Sequence, residues 1–275
     1  MSGLLGVFAP LLFAYAGALW WVGESWMIRD SYYSHGPLVP LLMAFLFWSD
    51  RARWRAQPAA PDGRAWWLLA PGLALHLAGA ALTIDSLSAL SLVLTLPAAA
   101  WLALGRARLR GQWPTLWLAV FAVPMPMFLT GRIAFELKEL AVGAAIASGN
   151  ALGLGAHRDG PNLFVPGQSH PLVVEDPCGG LRSLLALLTL GYVVAFFFGS
   201  RRGLRPYVLL AAAAPLAILV NVLRITGLCF AAKWWGVEVA TTTAHDALNI
   251  GEWVVALVLL VCLDRLLSRP QGRAP

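Results

Sequence analysis

Apolar runs close to the length needed to cross a bilayer recur along the whole chain, and nearly all of the charge is gathered into the short segments between them. Hydrocarbon offers no hydrogen-bond partners, so a backbone that crosses it must satisfy its own N–H and C=O groups, and for an apolar run of about 20 residues the helix does so. Eight such runs are expected as spans, at residues 4–22, 36–49, 66–83, 87–104, 114–130, 181–199, 206–223 and 247–264. The second is the shortest, with 14 residues from Gly36 to Ser49, and opens with Pro37 and Pro40. Composition agrees, since 59% of the 275 residues are hydrophobic and 12% charged, against roughly 25% charged in soluble domains. The expected fold is an all-α polytopic membrane bundle of about eight transmembrane helices, a single integral membrane domain over 1–275, with one long loop at 131–180 between spans five and six. Ala14-Tyr15-Ala16 looks like a signal cleavage site, but no Lys or Arg precedes it, so the first run is read as a span.

The arginines set the orientation. Basic residues in short loops stay on the cytoplasmic side, and 13 of the 20 fall in alternate loops, among them Arg51, Arg53, Arg55 and Arg64, then Arg106, Arg108 and Arg110. The opposite loops hold 11 of the 14 acids. Both termini are therefore expected in the cytoplasm, with 131–180 at the outer face. That loop opens with a segment suited to an interfacial helix, including Arg132, Glu136, Lys138 and Glu139. Further on, Asn162–Val165 and Leu172–Val174 are short enough to pair as a hairpin.

The formal net charge of +6 does not point to nucleic acid, because 18 of the 20 basic residues are arginines beside apolar runs, where orientation explains them. Cys178, Cys229 and Cys262 form no C-x-x-C pair and have no histidine at zinc-ligand spacing, so neither metal nor cofactor is expected. Cys229 and Cys262 lie inside apolar runs and read as small packing residues. Cys178 differs in its polar, glycine-rich flanks.

Distances along the helices bring Cys178 together with two other residues. Cys178 precedes Arg201 by 23 positions, Arg224 follows Arg205 by 19, and His245 precedes Arg265 by 20. At 1.5 Å per residue these are about 34, 28 and 30 Å, so all three reach the outer boundary of a core about 30 Å thick, on consecutive helices expected to be neighbours. A thiol, a guanidinium and an imidazole at one depth suit acyl transfer. A nearby cation favours the thiolate, amides of Gly179 and Gly180 at a helix start can meet a developing oxyanion, and imidazole shuttles protons near neutral pH. Asn221, one turn before Arg224, is placed to hold it, and Asp246 adjoins His245.

The runs Val174-Glu-Asp-Pro-Cys178-Gly-Gly-Leu-Arg-Ser183, Asn221-Val-Leu-Arg224-Ile225 and His245-Asp246 followed by Gly251 resemble the exosortase/archaeosortase family. Tyr33-Ser-His-Gly36 with Pro40 resembles that family's first outer loop. The family usually carries Ser directly after the cysteine, where this chain has Gly179. The resemblance implies a membrane-embedded cysteine protease or transpeptidase of the cytoplasmic membrane, with its active site at the outer face and Cys178, Arg224 and His245 as catalytic residues. It implies substrates that are secreted proteins with a C-terminal sorting signal: a Pro-Glu-Pro-like motif, one transmembrane helix and a basic cluster. It also implies a thioacyl intermediate resolved by water or by a surface-polymer acceptor. Tyr33, His35 and Arg182 are candidates for contacting the motif. The competing classes are a transporter, for which His76 is the main mid-span polar candidate, and a non-catalytic scaffold.

Overall fold

The computed structural model describes residues 2–160, 162–173, 180–198 and 203–268. The chain divides into two compact units after Thr130, and each is described by itself.

In the first unit, α1 (Ser2–Ala14) and α2 (Ala16–Met27) meet at Tyr15 with a bend of 65°. The Tyr15 side chain is buried there, stacked on His76 and hydrogen-bonded to Ser91 Oγ at 2.6 Å. A turn over residues 28–37 leads to α3 (Leu38–Ser49) and the short α4 (Arg51–Arg55). Helices α5 (Trp66–Ala81) and α6 (Asp85–Leu104) form the unit's closest antiparallel pair, because α5 carries glycine where α6 approaches. A Cβ at Gly72 would stand 2.7 Å from Thr95 Cγ2, and one at Gly79 would stand 2.5 Å from the Ser88 backbone nitrogen. After α7 (Arg106–Leu109), the chain forms α8 (Trp113–Trp117) and a 3-10 turn at Leu118–Phe121.

The second unit receives most of α9 (Met127–Ala151). A small antiparallel sheet follows, from β1 (His157–Asp159), β2 (Asn162–Phe164) and β3 (Leu172–Val173), with Asn162 opposite Val173 and Leu163 opposite Leu172. The hairpin expected between the two apolar pieces thus forms, and β1 adds a third strand to it. Then come α10 (Leu181–Val193), running on as a π-helical turn at Val194–Phe198, α11 (Arg205–Trp235), α12 (Val237–Thr241) and α13 (Thr243–Ser268).

The molecule is a helical, membrane-embedded protein. Among the described residues, α6, α10 with its π turn, and α11 are long and apolar enough to cross a bilayer, and α1 with α2 adds a fourth if the bent pair is one span. By this measure three or four spans are found where eight are expected. Two of the other expected spans are short helices, 12 residues in α3 and 16 in α5, or about 18 and 24 Å. The run at 114–130 is broken between α8 and α9, where Pro124 and Pro126 remove backbone donors. The run at 206–223 is exceeded, since α11 has 31 residues and continues past Arg224.

Candidate active site

Helices α10, α11 and α13 pack around one apolar cluster, in which Leu187 meets Ala217, Val220 and Ala256. A second cluster, Ala195, Leu209, Ala213 and Leu260, joins the same helices toward the other end. The neighbourhood expected of these three helices is therefore realised.

Helix α10 begins at Gly180, and this position tolerates only glycine. Its φ of +96° lies in the left-handed region, and a Cβ would stand 2.6 Å from Asn221 Nδ2. Asn221, 2% exposed, thus packs directly against the backbone that opens α10. Cys178 and Gly179 lie outside the described residues. Arg182 follows in the first turn of α10, half-buried.

Arg224 is buried in the middle of α11 and faces α13. Its Nη1 donates to Glu252 Oε2 at 2.8 Å and to Asn249 Oδ1 at 3.4 Å. The two charged side chains are 4% and 1% exposed. A guanidinium at this depth is costly unless an opposite charge compensates it, and Glu252 supplies that charge. Glu252 Oε1 and Asn221 Oδ1 are both buried without a hydrogen-bond partner among the described residues.

His245 occupies the first turn of α13, so this helix starts earlier than the expected 247. Residues 245, 249 and 252 are spaced i, i+4 and i+7 and therefore share one face. His245 stands on the same stripe as the two residues that hold Arg224, two turns from Glu252. On that face Leu248 fills the space left by Gly227 of α11, where a Cβ would lie 3.2 Å away. His245 Nδ1 also contacts Asp246 Oδ1 at 3.3 Å, and Asp246 is 85% exposed; such a solvated contact contributes little.

The segment after α9 is fastened beside α11. Leu154, Leu163, Val165 and Leu172 bury against Ile225, Leu228 and Cys229. Lys233 Nζ donates to the carbonyl of Gly153 at 2.6 Å, the Asn150 side chain pairs with both backbone groups of Ala156 at 2.8 Å, and Arg158 meets Glu139 at 2.6 Å. Cys229 is a packing residue, as expected; Cys262 lies exposed on α13 instead.

Tyr33 and His35 belong to the first unit. Tyr33 is 5% exposed, and its hydroxyl accepts a hydrogen bond from the Met125 amide at 3.0 Å. His35 stacks beside it with ring centroids 6.2 Å apart, and both ring nitrogens are buried. Burial holds the His35 pKa below its ordinary value, an effect the nearby Phe121 carbonyl only partly offsets. It also pushes the Tyr33 phenol up. Gly36 leaves room for the Trp26 indole, which donates to the Ala122 carbonyl at 2.7 Å. His76 is 8% exposed and bonded to Ser88 Oγ at 2.7 Å, so its polarity is used within helix packing.

Sequence reasoning missed Glu252 and Asn249. The signal was present: an acidic residue in an otherwise apolar run at 247–264 requires a partner, and it lies seven residues after His245.

The second unit thus combines a buried Arg–Glu pair, a helix preceded by a left-handed glycine and a histidine on the Glu252 stripe. The model of the transmembrane exosortase family matches residues 20–263, which is most of the chain, and the protein belongs to that family. No curated protein and no solved structure gives a significant match.

Proposed function

We propose that this protein is a cysteine transpeptidase or protease of the cytoplasmic membrane that removes the C-terminal sorting signal of secreted proteins. The catalytic residues in this reading are Cys178, Arg224 and His245, acting at the outer face, with both termini in the cytoplasm. The observation that carries it is the pairing of Arg224 with Glu252 on the His245 stripe, next to the Asn221–Gly180 contact. Only one residue of chain, Gly179, separates Cys178 from Gly180.

In the reaction, the Cys178 thiolate attacks the scissile carbonyl carbon, and the C=O electron pair moves onto oxygen. Arg224, fixed by Glu252 and Asn249, stabilises that oxyanion or grips the substrate main chain. The C–N bond breaks, His245 gives its proton to the leaving amine, and the helix-bearing tail departs from a thioester. Water, or an amine or hydroxyl of a surface polymer, then attacks the thioester, passes its proton to His245 and expels the thiolate. Asp246 and Gly179 support the histidine and the oxyanion. Arg182, half-buried in the first turn of α10, contacts the recognition motif.

Co-expression with a secreted substrate bearing a Pro-Glu-Pro tail tests this reading, with tail release followed on a blot. Wild type should release the tail, and Cys178→Ala and His245→Ala should not at equal membrane levels. Release by Cys178→Ala at the wild-type rate would refute thiol catalysis and favour a transporter or scaffold.

A further inference from the structure

Away from these residues, the arginine-rich segments at 50–57 and 107–112 enclose a cleft of about 400 Å³, within the range of roughly 300–1,000 Å³ typical of small-ligand sites. We propose that this cleft binds the phosphate of an anionic membrane phospholipid.

Arg53, Arg108 and Arg110 line the cleft, with Asp50 as its single acid. Asp50 is already engaged, by Arg53 at 3.5 Å and by Gln112 Nε2 at 2.5 Å, so it fixes the wall and leaves a net positive charge facing the space. Arg108 lies over the Trp54 ring, 4.9 Å from its centroid, and Trp54 is anchored through Nε1 to the Phe47 carbonyl at 3.0 Å. The guanidinium is thus held in place, while its Nε is buried with no hydrogen-bond partner among the described residues. A preset guanidinium on the wall of a cleft that two further arginines line calls for an anionic acceptor, and phosphate matches that geometry.

A lipid fits better than free phosphate because of what leads to the cleft. Leu41, Phe45 and Trp48 are each more than 60% exposed, and their i, i+4, i+7 spacing makes an apolar stripe along α3 that ends where Asp50 begins the cleft. Acyl chains along that stripe bring the headgroup to the arginines, and basic pockets at the ends of spanning helices are suited to such headgroups.

The test uses the purified full-length protein in a neutral detergent, titrated in separate arms with phosphatidylglycerol, phosphatidylcholine and inorganic phosphate. The thermal midpoint and phosphorus NMR broadening are both followed. Phosphatidylglycerol should raise the midpoint and broaden its own phosphorus line, with the other two ligands much weaker. Arg108→Gln should weaken the apparent affinity about tenfold, as for a lost charge-assisted hydrogen bond. Arg64→Gln, on an exposed turn outside the cleft, should change nothing. If Arg108→Gln fails to fold, Arg53→Gln with Arg110→Gln carries the same expectation. The proposal is overturned if the cleft variants respond to phosphatidylglycerol as wild type does, if phosphatidylglycerol has no effect, or if inorganic phosphate reproduces the whole response.

Discussion

Arg224 sits inside a 31-residue helix because Glu252 meets it from α13. An arginine at that position in the sequence reads as the outer end of a span, yet α11 runs on for 11 further residues to Trp235. Removing one member of a buried pair leaves an uncompensated charge, at a cost of about 3–5 kcal/mol, whereas an apolar pair of similar volume is often tolerated. Glu252→Gln should therefore lower the thermal midpoint and membrane level together. Arg224→Met combined with Glu252→Leu should restore both and still release no tail. Tail release by that double variant would show that Arg224 serves the fold alone. The positions of Asn221, Arg224 and His245 on neighbouring helices were legible from chain spacing. The pairing with Glu252 was not: an acid within an apolar run signals that it needs a partner, but no local pattern says that the partner is an arginine 28 residues away.

Between elements, close approach is decided by glycine. Gly72 and Gly79 let α6 pack against α5 with Ser88 and Thr95 almost touching the opposing backbone, and His76 between them bonds Ser88. Small residues permit such packing in membrane helices, where no hydrophobic effect drives association. Gly79→Leu should cost about 1–3 kcal/mol through overpacking, read as a lower thermal midpoint. Gly23→Ala, where a Cβ meets nothing within 4 Å, should leave the midpoint unchanged or slightly raised. An equal loss in both variants would deny the contact its role. The apolar runs predicted α6, α10 and α11 within a few residues at their starts. They did not predict the break at 118–126, where the residues remain apolar and only proline and a 3-10 turn interrupt the helix.

The stability of the whole molecule should depend on pH through His35. Burial lowers its pKa in the folded state, so below about 6.5 the unfolded chain takes up a proton that the folded chain refuses. Stability is fully present above that pH and is lost as pH falls from about 6.5 toward the lowered value. Thermal midpoints measured from pH 7.5 to 5.0 should therefore fall more steeply in wild type than in His35→Asn. Parallel profiles would assign the slope to other groups.

The sequence by itself determined that the chain is helical and membrane-embedded, because an apolar run forms its own backbone hydrogen bonds from residues four apart and needs no distant information. It also determined the order of the cysteine, arginine and histidine motifs. The tertiary structure decided where the helices end, which residue neutralises Arg224, and that Tyr33 and His35 are packed into the first unit's interior. Each of these depends on charge compensation or steric fit between segments far apart in the chain, and only the packing of helices brings such segments together.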